Sequence, residues 1–376
     1  MVLPAEKSVL ILSSNSDFSL TRPEVILCRF IRKYGLVPVL ICPKEGSLSR
    51  ILREEGISVS ILPNIHRWRS FRTRLRASWM LRFILRIASE RNVALVHAAR
   101  LSVTPFAVKA ACRLGVPCVT HLHGIPEDAG KFRRYLLQQA DALIAVSNAV
   151  LTYCPAEIRQ KAQVIYNGMD IVDFRSRAAE SNVRADFGIS PHDPIIGMVG
   201  PFYRKGADIF IQAAGIVKQD FPSARFLFLG DFRERQMQAQ LTTWIASLGL
   251  QQAVIFAGMQ LNIAPFMAAS DIWIVPSRHD AAPMVAQEAM ALGKPVIGSR
   301  VGGLPELVEN KITGFIVPPE DPQALAEAIC KLLRNPQLRH IFGEAGRKKV
   351  EKEYSLEGFY ERMSEVYRDL LKTKSA

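Results

Sequence analysis

The stretch PSRHDAAPMVAQEAMALGKPVIGSRVGGLPELV, residues 276–308, is mostly apolar yet carries two carboxylates, Asp280 and Glu288, with seven residues between them. The run IWIVPS reads as a strand ending at Ser277. Pro283 suits the first position of a helix and Gly293 the position past its end, so the pattern predicts a helix over roughly 284–292. Asp280 then precedes the positive end of that helix, and Glu288 lies about 7.5 Å of helical rise beyond Pro283. Two acids so placed can accept hydrogen bonds from hydroxyls at either end of a molecule laid across the helix start. Between them, the segment Ala281, Ala282, Pro283, Met284 and Val285 offers backbone N–H groups (Pro283 excepted) and the helix dipole to a phosphate. Sugar hydroxyls at one acid, ribose hydroxyls at the other and a diphosphate between them describe a nucleotide sugar. The plainer alternative is a cap-region acid and a solvated helix residue.

Other loops add to this. GPFYRKGAD, residues 200–208, sets Arg204 and Lys205 in a glycine-bounded turn before a helix, beginning at Gly200; basic side chains beside a helix start suit an anion. VGGLPELV brings Gly302 and Gly303, which permit close backbone approach, ahead of Pro305 at another helix start. ARFLFLG ends its strand at Gly230, and PCVTHLHG ends in His123. Each alone is ordinary: a solvated basic turn, a glycine-rich turn, a histidine at a strand end.

The elements that must position these loops alternate. Seven short apolar runs (8–14, 38–43, 59–63, 93–98, 117–124, 142–147, 162–168) are followed by six more (194–200, 224–230, 253–258, 272–277, 295–300, 314–318), with helical spacing between many of them. Continuous apolar strands alternating with helices predict parallel sheets covered on both faces. The expected fold is α/β, two Rossmann-like doubly wound parallel-sheet domains facing a cleft, with ligands at the carboxyl ends of the strands. The expected boundaries are 1–174, a polar irregular linker over 175–193, a second domain over 194–355, and a C-terminal helix over 356–376 returning to the first domain.

The 376 residues are 49% hydrophobic, a globular composition with no apolar run of eighteen residues. The start, MVLPAEKSVLILSS, reads as a first strand and not an export signal. Six cysteines without a C-x-x-C pair suit a reduced, cytoplasmic protein. The net charge of +13 is uneven: residues 1–175 hold 25 Lys+Arg against 13 Asp+Glu, the remainder 23 against 22. An anionic partner for the first half follows. HRWRSFRTRLRASWMLRFILR, residues 66–86, has seven arginines and no acid, with Trp68, Phe71, Leu75 and Trp79 at helical spacing. Two readings are open: a helix resting on an anionic membrane surface, peripheral to the inner face of the cell membrane, or a stripe packed on the sheet with arginines in water. Nucleic acid is not expected, since no reading motif accompanies the charge.

Taken together, the KG turn, the glycine ending the 224–230 run, the acid–seven residues–acid element, E-A-M-A-x-G-x-P-V and G-G-x-x-E resemble the retaining glycosyltransferases of family four, with the GT-B fold. The resemblance spans nearly the whole chain and is strongest over 194–335. It implies that Glu288 binds the ribose, Asp280 the donor-sugar hydroxyls and Lys205 the phosphates, that His123 faces the donor sugar, and that Asn167-Gly168 closes the first domain. His121 is assigned to the other sheet face and left out. Three departures stand out: an Asp, not a Glu, as first acid; Pro201 where the family often has Arg, with Arg204 as the substitute; and Ser13-Ser14-Asn15-Ser16 where a glycine pair is common. The last loop makes Ser14 and Asn15 acceptor-side candidates. Arg22 joins them, within a Thr21-to-Glu24 capping box.

The implied activity is transfer of a hexose-type sugar from a nucleotide-diphosphate sugar (UDP or GDP) to a glycan or lipid-linked acceptor in polysaccharide or cell-envelope synthesis. No cofactor is expected. The chain contains no D-x-D, the usual metal-holding pair under a diphosphate, so a metal-independent reaction is expected. A non-catalytic nucleotide- or glycan-binding relative and a sugar-nucleotide epimerase on the same scaffold are the alternatives.

Overall fold

All thirteen apolar runs become strands in the computed structural model, which describes residues 6–16, 22–66, 73–124, 135–179, 182–200, 203–230 and 235–373. In the first sheet these are β1 (Ser8–Leu12), β2 (Val37–Cys42), β3 (Ser58–Ile61), β4 (Val93–Ala98), β5 (Cys118–Leu122), β6 (Ala142–Ala145) and β7 (Ala162–Val164). Their order is β3-β2-β1-β4-β5-β6-β7, every pair parallel. The second sheet holds β8 (Ile195–Val199), β9 (Arg225–Leu229), β10 (Val254–Phe256), β11 (Ile272–Val275), β12 (Val296–Ser299) and β13 (Gly314–Val317) in the order β10-β9-β8-β11-β12-β13, also parallel. In each sheet the order reverses beside the first strand of its unit, which is where doubly wound sheets open a crevice.

The molecule divides into one unit of Met1–Gly168 with Phe359–Ala376 and another of Met169–Gly358. In the first, Ile11, Leu40, Val119 and Ile144 from the sheet pack with Leu27, Phe30 and Ile31 of the helix Arg22–Lys33. Phe359, Met363, Val366 and Tyr367 complete that core from the last helix, Leu356–Thr373. Their near-four-residue spacing gives the helix one apolar face, and each fully buried large side chain contributes about 1.5–3 kcal/mol. In the second unit Met198, Phe226, Phe228, Ile274 and Ile297 meet Phe210, Leu325 and Ile329.

Residues 175–193 differ from the irregular linker expected. Helices Ile171–Ala178 and Val183–Asp186 enter the segment, which clusters with the second unit. Asp170 caps the first through the Asp173 N–H, and Ile171, Phe174 and Ala178 are buried. Arg184 then ties the second to Asp271 and to the carbonyls of Ser190, Asp193 and Ala269. The polar composition concealed these elements because their arginines spend their charge on the domain surface and not on solvent.

The basic helix runs Thr73–Ser89. Its core-facing residues are Met80, Ile84 and Ala88, not the expected stripe: Trp79 is 56% exposed and stacks on Phe83 at 5.8 Å, with Arg82 and Arg86 also exposed. Trp68 and Phe71 lie outside the described residues. So does Thr21, and with it the capping box; the Glu24 carboxylate accepts from Ser13 Oγ at 2.9 Å and pairs with Arg100 at 2.8 Å.

Candidate active site

The loops of the second unit converge as their spacing implied, and they do so through charge. Lys205 ends a short 3₁₀ turn, Tyr203–Lys205, ahead of the helix Ala207–Asp220. Its Nζ lies 2.6 Å from Asp280 Oδ2, so the expected phosphate-binding cation and sugar-binding acid are paired with each other. Ser277 Oγ approaches the same oxygen at 3.5 Å. Gly206 turns the chain at φ +74°, and a Cβ there would lie 2.0 Å from the Pro276 carbonyl; only glycine lets the turn reach the strand-end loop.

Arg278 welds the two loops. Its guanidinium grips Asp208 with two bonds of 2.8 and 2.6 Å, reaches Glu320 at 2.8 Å and lies 3.7 Å over the Tyr203 ring. Its backbone N–H donates to the Arg204 carbonyl at 2.9 Å. The hydrogen bonds it donates to Asp208 hold the guanidinium even further above its ordinary range, so the charge is permanent. Arg278 and Asp208 were not among the sequence candidates; they are 70 positions apart, and no local pattern joins them. The signal available was an Arg two positions before the first acid.

The helix of the opening stretch spans Met284–Ala291, with Pro283 as its N-cap residue and Gly293 at φ +68° beyond it. Glu288 is buried at 3% exposure, which excludes the solvated-residue alternative. Ala281, Ala282, Met284 and Val285 are half-buried and Pro283 buried. The close approach permitted by the glycine pair is made by the protein itself. A Cβ on Gly302, at φ +51°, would stand 1.7 Å from the Asp280 carbonyl, and Gly303 N–H donates to that carbonyl at 3.0 Å. The pair therefore fixes the backbone of the first acid. Gly200 and Gly230 end β8 and β9 with φ of +92° and +120°, donating to the Leu229 and Gly258 carbonyls. Arg204 is exposed. Pro201 lies outside the described residues.

The first unit presents different chemistry. His123 follows β5 and is half-buried; His121, within β5, is buried. The assignment of His121 to the other face is corrected: positions two apart share a face, and the two rings stand 5.0 Å apart. His121 Nδ1 is 2.9 Å from His97 Nε2, and His97 Nδ1 is 2.7 Å from the Tyr367 hydroxyl. Burial holds all three histidines neutral. It pushes His121 down to about 3, aided by Arg100, His97 well below the ordinary value, aided by His121, and His123 likewise, aided by Arg100 and the other two rings.

On the same sheet Ser14 accepts from Ser102 Oγ at 2.8 Å, and Asn15 N–H donates to Ser13 Oγ at 3.1 Å. Ser14, Asn15, Ser16, Lys44, Asn64 and His66 border a cavity of about 360 Å³. Arg22 begins the neighbouring helix.

Comparison with known proteins identifies the family. The model for group 1 glycosyl transferases matches residues 180–349, and that for glycosyltransferase family 4 matches residues 25–173. An uncharacterized glycosyltransferase of Methanocaldococcus jannaschii is 30% identical, covering 69% of this chain and 70% of its own. The N-acetyl-alpha-D-glucosaminyl L-malate synthase of Bacillus anthracis is 26% identical, covering 76% and 77%. Among solved structures, Anabaena Alr3699/HepE in complex with UDP and glucose superposes with a TM-score of 0.83 at 24% identity, covering 97% of this chain and 100% of its own. A glycosyltransferase from Rickettsia africae gives 0.84 at 23%, covering 98% and 100%. The two Rossmann-like units are thus of the GT-B class.

Proposed function

The chain belongs to the group 1 glycosyltransferases, and we propose that it moves a hexose-type sugar from a nucleotide-diphosphate sugar to a glycan or lipid-linked acceptor, with retention and without a metal ion. The observation that carries this is the Lys205–Asp280 pair beside two helix starts, with Glu288 buried a turn into one of them. A diphosphate entering there takes Lys205 from Asp280. The lysine then neutralises the departing phosphate, together with backbone N–H groups at the helix starts. Asp280, relieved of its cation, accepts from sugar hydroxyls, and Glu288 accepts from the ribose. The absence of a D-x-D supports a lysine-and-dipole route over a metal clamp.

Retention follows by front-face attack. The acceptor oxygen bonds to the anomeric carbon on the side from which the phosphate oxygen leaves, and its proton passes to that departing oxygen. No carboxylate nucleophile is needed, and His123 serves as a neutral polar group for the sugar. The Ser14–Asn15 cavity, with Lys44 and His66 at its border, suits a polar or anionic acceptor.

A thermal-shift screen of nucleoside diphosphates and their sugar conjugates, followed by transfer assays with EDTA, tests the reading. One conjugate should raise the melting temperature with the logarithm of its concentration, and transfer should survive EDTA. No stabilisation by any conjugate, or strict Mn²⁺ dependence, would count against it. Hydrolysis or epimerisation of donor alone, without transfer, would favour the epimerase alternative.

A second reading concerns location. The exposed Trp79–Phe83 stack beside Arg82 and Arg86 favours contact with an anionic membrane surface. No helix among the described residues is long and apolar enough to cross a membrane. Flotation with phosphatidylglycerol vesicles, but not with phosphatidylcholine vesicles, is expected, and it should weaken in Trp79→Ser.

A further inference from the structure

A polar track runs through the otherwise apolar interior of the first unit, and it ends beside the residue assigned to the sugar. The Tyr367 hydroxyl contacts His97 Nδ1, His97 Nε2 contacts His121 Nδ1, and the His121 ring leans on the His123 ring at 5.0 Å with a 44° tilt. The three rings come from three separate elements: the last helix, β4 and β5. Tyr367, His97 and His121 are all essentially removed from solvent, at 0%, 0% and 3% exposure. Buried polar groups at such sites cost stability unless they are hydrogen-bonded, so a chain of them in a core calls for an explanation.

The direction of the hydrogen bonds follows from counting donors. Burial keeps Tyr367 a neutral phenol, so its O–H is a donor. If it donates to His97 Nδ1, His97 carries its proton on Nε2 and donates to His121 Nδ1. His121 is then the Nε2–H tautomer, and only that N–H is left over. If the chain ran the other way, both the tyrosine hydroxyl hydrogen and the His121 Nε2 lone pair would be left over. The first arrangement leaves fewer buried groups unsatisfied, and His121 Nε2 is indeed the track atom that is buried without a hydrogen-bond partner. One proton pattern is thereby imposed on two rings by one hydroxyl.

His123 makes no hydrogen bond among the described residues, so its orientation is set by what it packs against. We propose that Tyr367, His97 and His121 are positioning residues for His123: the hydroxyl on the last helix fixes the His97 tautomer, which fixes the His121 ring, which holds the His123 imidazole in one pose toward the sugar. This rests on the sugar-facing role of His123. It extends that role to a residue on the C-terminal helix, which otherwise looks like packing alone.

The test is a double-mutant cycle on the full-length chain, joined to histidine ring-¹⁵N spectra. Tyr367→Phe keeps the buried ring and removes only the hydroxyl. It should lower kcat roughly three- to tenfold, the range one buried hydrogen bond spans, with the donor KM within about twofold. In a His123→Ala background the same change should have no further effect on kcat. The His123 ring signals should shift in Tyr367→Phe at pH 7. His97→Gln, which keeps an amide donor near the Nε2 position, should retain more activity than His97→Ala; it carries the same cycle if Tyr367→Phe does not fold. Wild-type transfer by His123→Ala would overturn the role on which the proposal rests. A His123→Ala variant with reduced but measurable transfer, combined with an unmoved His123 resonance in Tyr367→Phe or with a Tyr367→Phe loss that persists undiminished in the His123→Ala background, would overturn the proposal alone.

Discussion

The two units solve the same architectural problem with opposite electrostatics. In the second, the loops after β8 and β11 meet through ion pairs: Lys205 with Asp280, and Arg278 with Asp208 and Glu320. In the first, the histidines on β4 and β5 are neutral because burial prevents them from charging, and the Glu24–Arg100 ion pair lies off the strands. The difference follows from position. Loops beyond the strand ends retain partial solvation and can offset the desolvation of an ion pair with several hydrogen bonds. Side chains within a central strand have no such recourse and survive only as a hydrogen-bonded neutral chain.

The sharpest way to break this contrast is to remove charge from the second unit. Glu288→Ala and Lys205→Ala should each lower kcat/KM at least about 100-fold, close to 2.7 kcal/mol of transition-state stabilisation, while circular dichroism stays unchanged; near-normal transfer in both would dismiss the site. Next in size, Asp208→Asn leaves the Arg278 guanidinium short of its main partner. Because that pair is largely buried, at 12% and 8% side-chain exposure, the loss should approach about 3 kcal/mol. In a unit of this size that reads as a fall of roughly 6–12 °C in melting temperature.

The first unit should fail differently, with acid. His97, His121 and His123 have native values below the unfolded one of about 6.5. As pH falls past that point the unfolded chain takes up protons that the native state refuses, so stability present above 6.5 is lost progressively on the way down, toward about 3 for His121. For the two fully buried rings, His97 and His121, the loss between pH 7 and pH 5 should be about 3–4 kcal/mol by urea titration. The histidines of the second unit, His192, His279 and His340, are exposed, so its transition should move less. Equal acid sensitivity in both units would erase the distinction. The smallest effect expected is that of Trp79→Ser, which should change the melting temperature hardly at all, within about 0.5 kcal/mol, because the ring is exposed.

Local chemistry was legible where it repeats at a fixed period or sits at an element end. The thirteen strands, the helix start at Pro283 and its stop at Gly293 are all of this kind. Glu288 could be named from its spacing to Asp280 and from the resemblance, but not its burial. His121 was discarded through a misapplied alternation, although the two-residue period puts it beside His123. In the basic helix Trp79 faces outward while Met80, Ile84 and Ala88 are buried. The helices at 171–178 and 183–186 were hidden by arginines whose partners lie far along the chain.

The sequence by itself determined the strand count, the parallel α/β class and the helix that follows the 272–277 strand, since these depend on periodicity, capping and turn residues within a few positions of one another. Only the tertiary structure decided that Lys205 would hold Asp280, that Arg278 would lock onto Asp208, that Gly302 would admit a neighbouring carbonyl rather than a ligand, and that Tyr367 would reach His97. Those pairings depend on which residues the chain brings together across tens or hundreds of positions. Distance in space, not order along the backbone, sets the Coulomb and hydrogen-bond terms that choose among them.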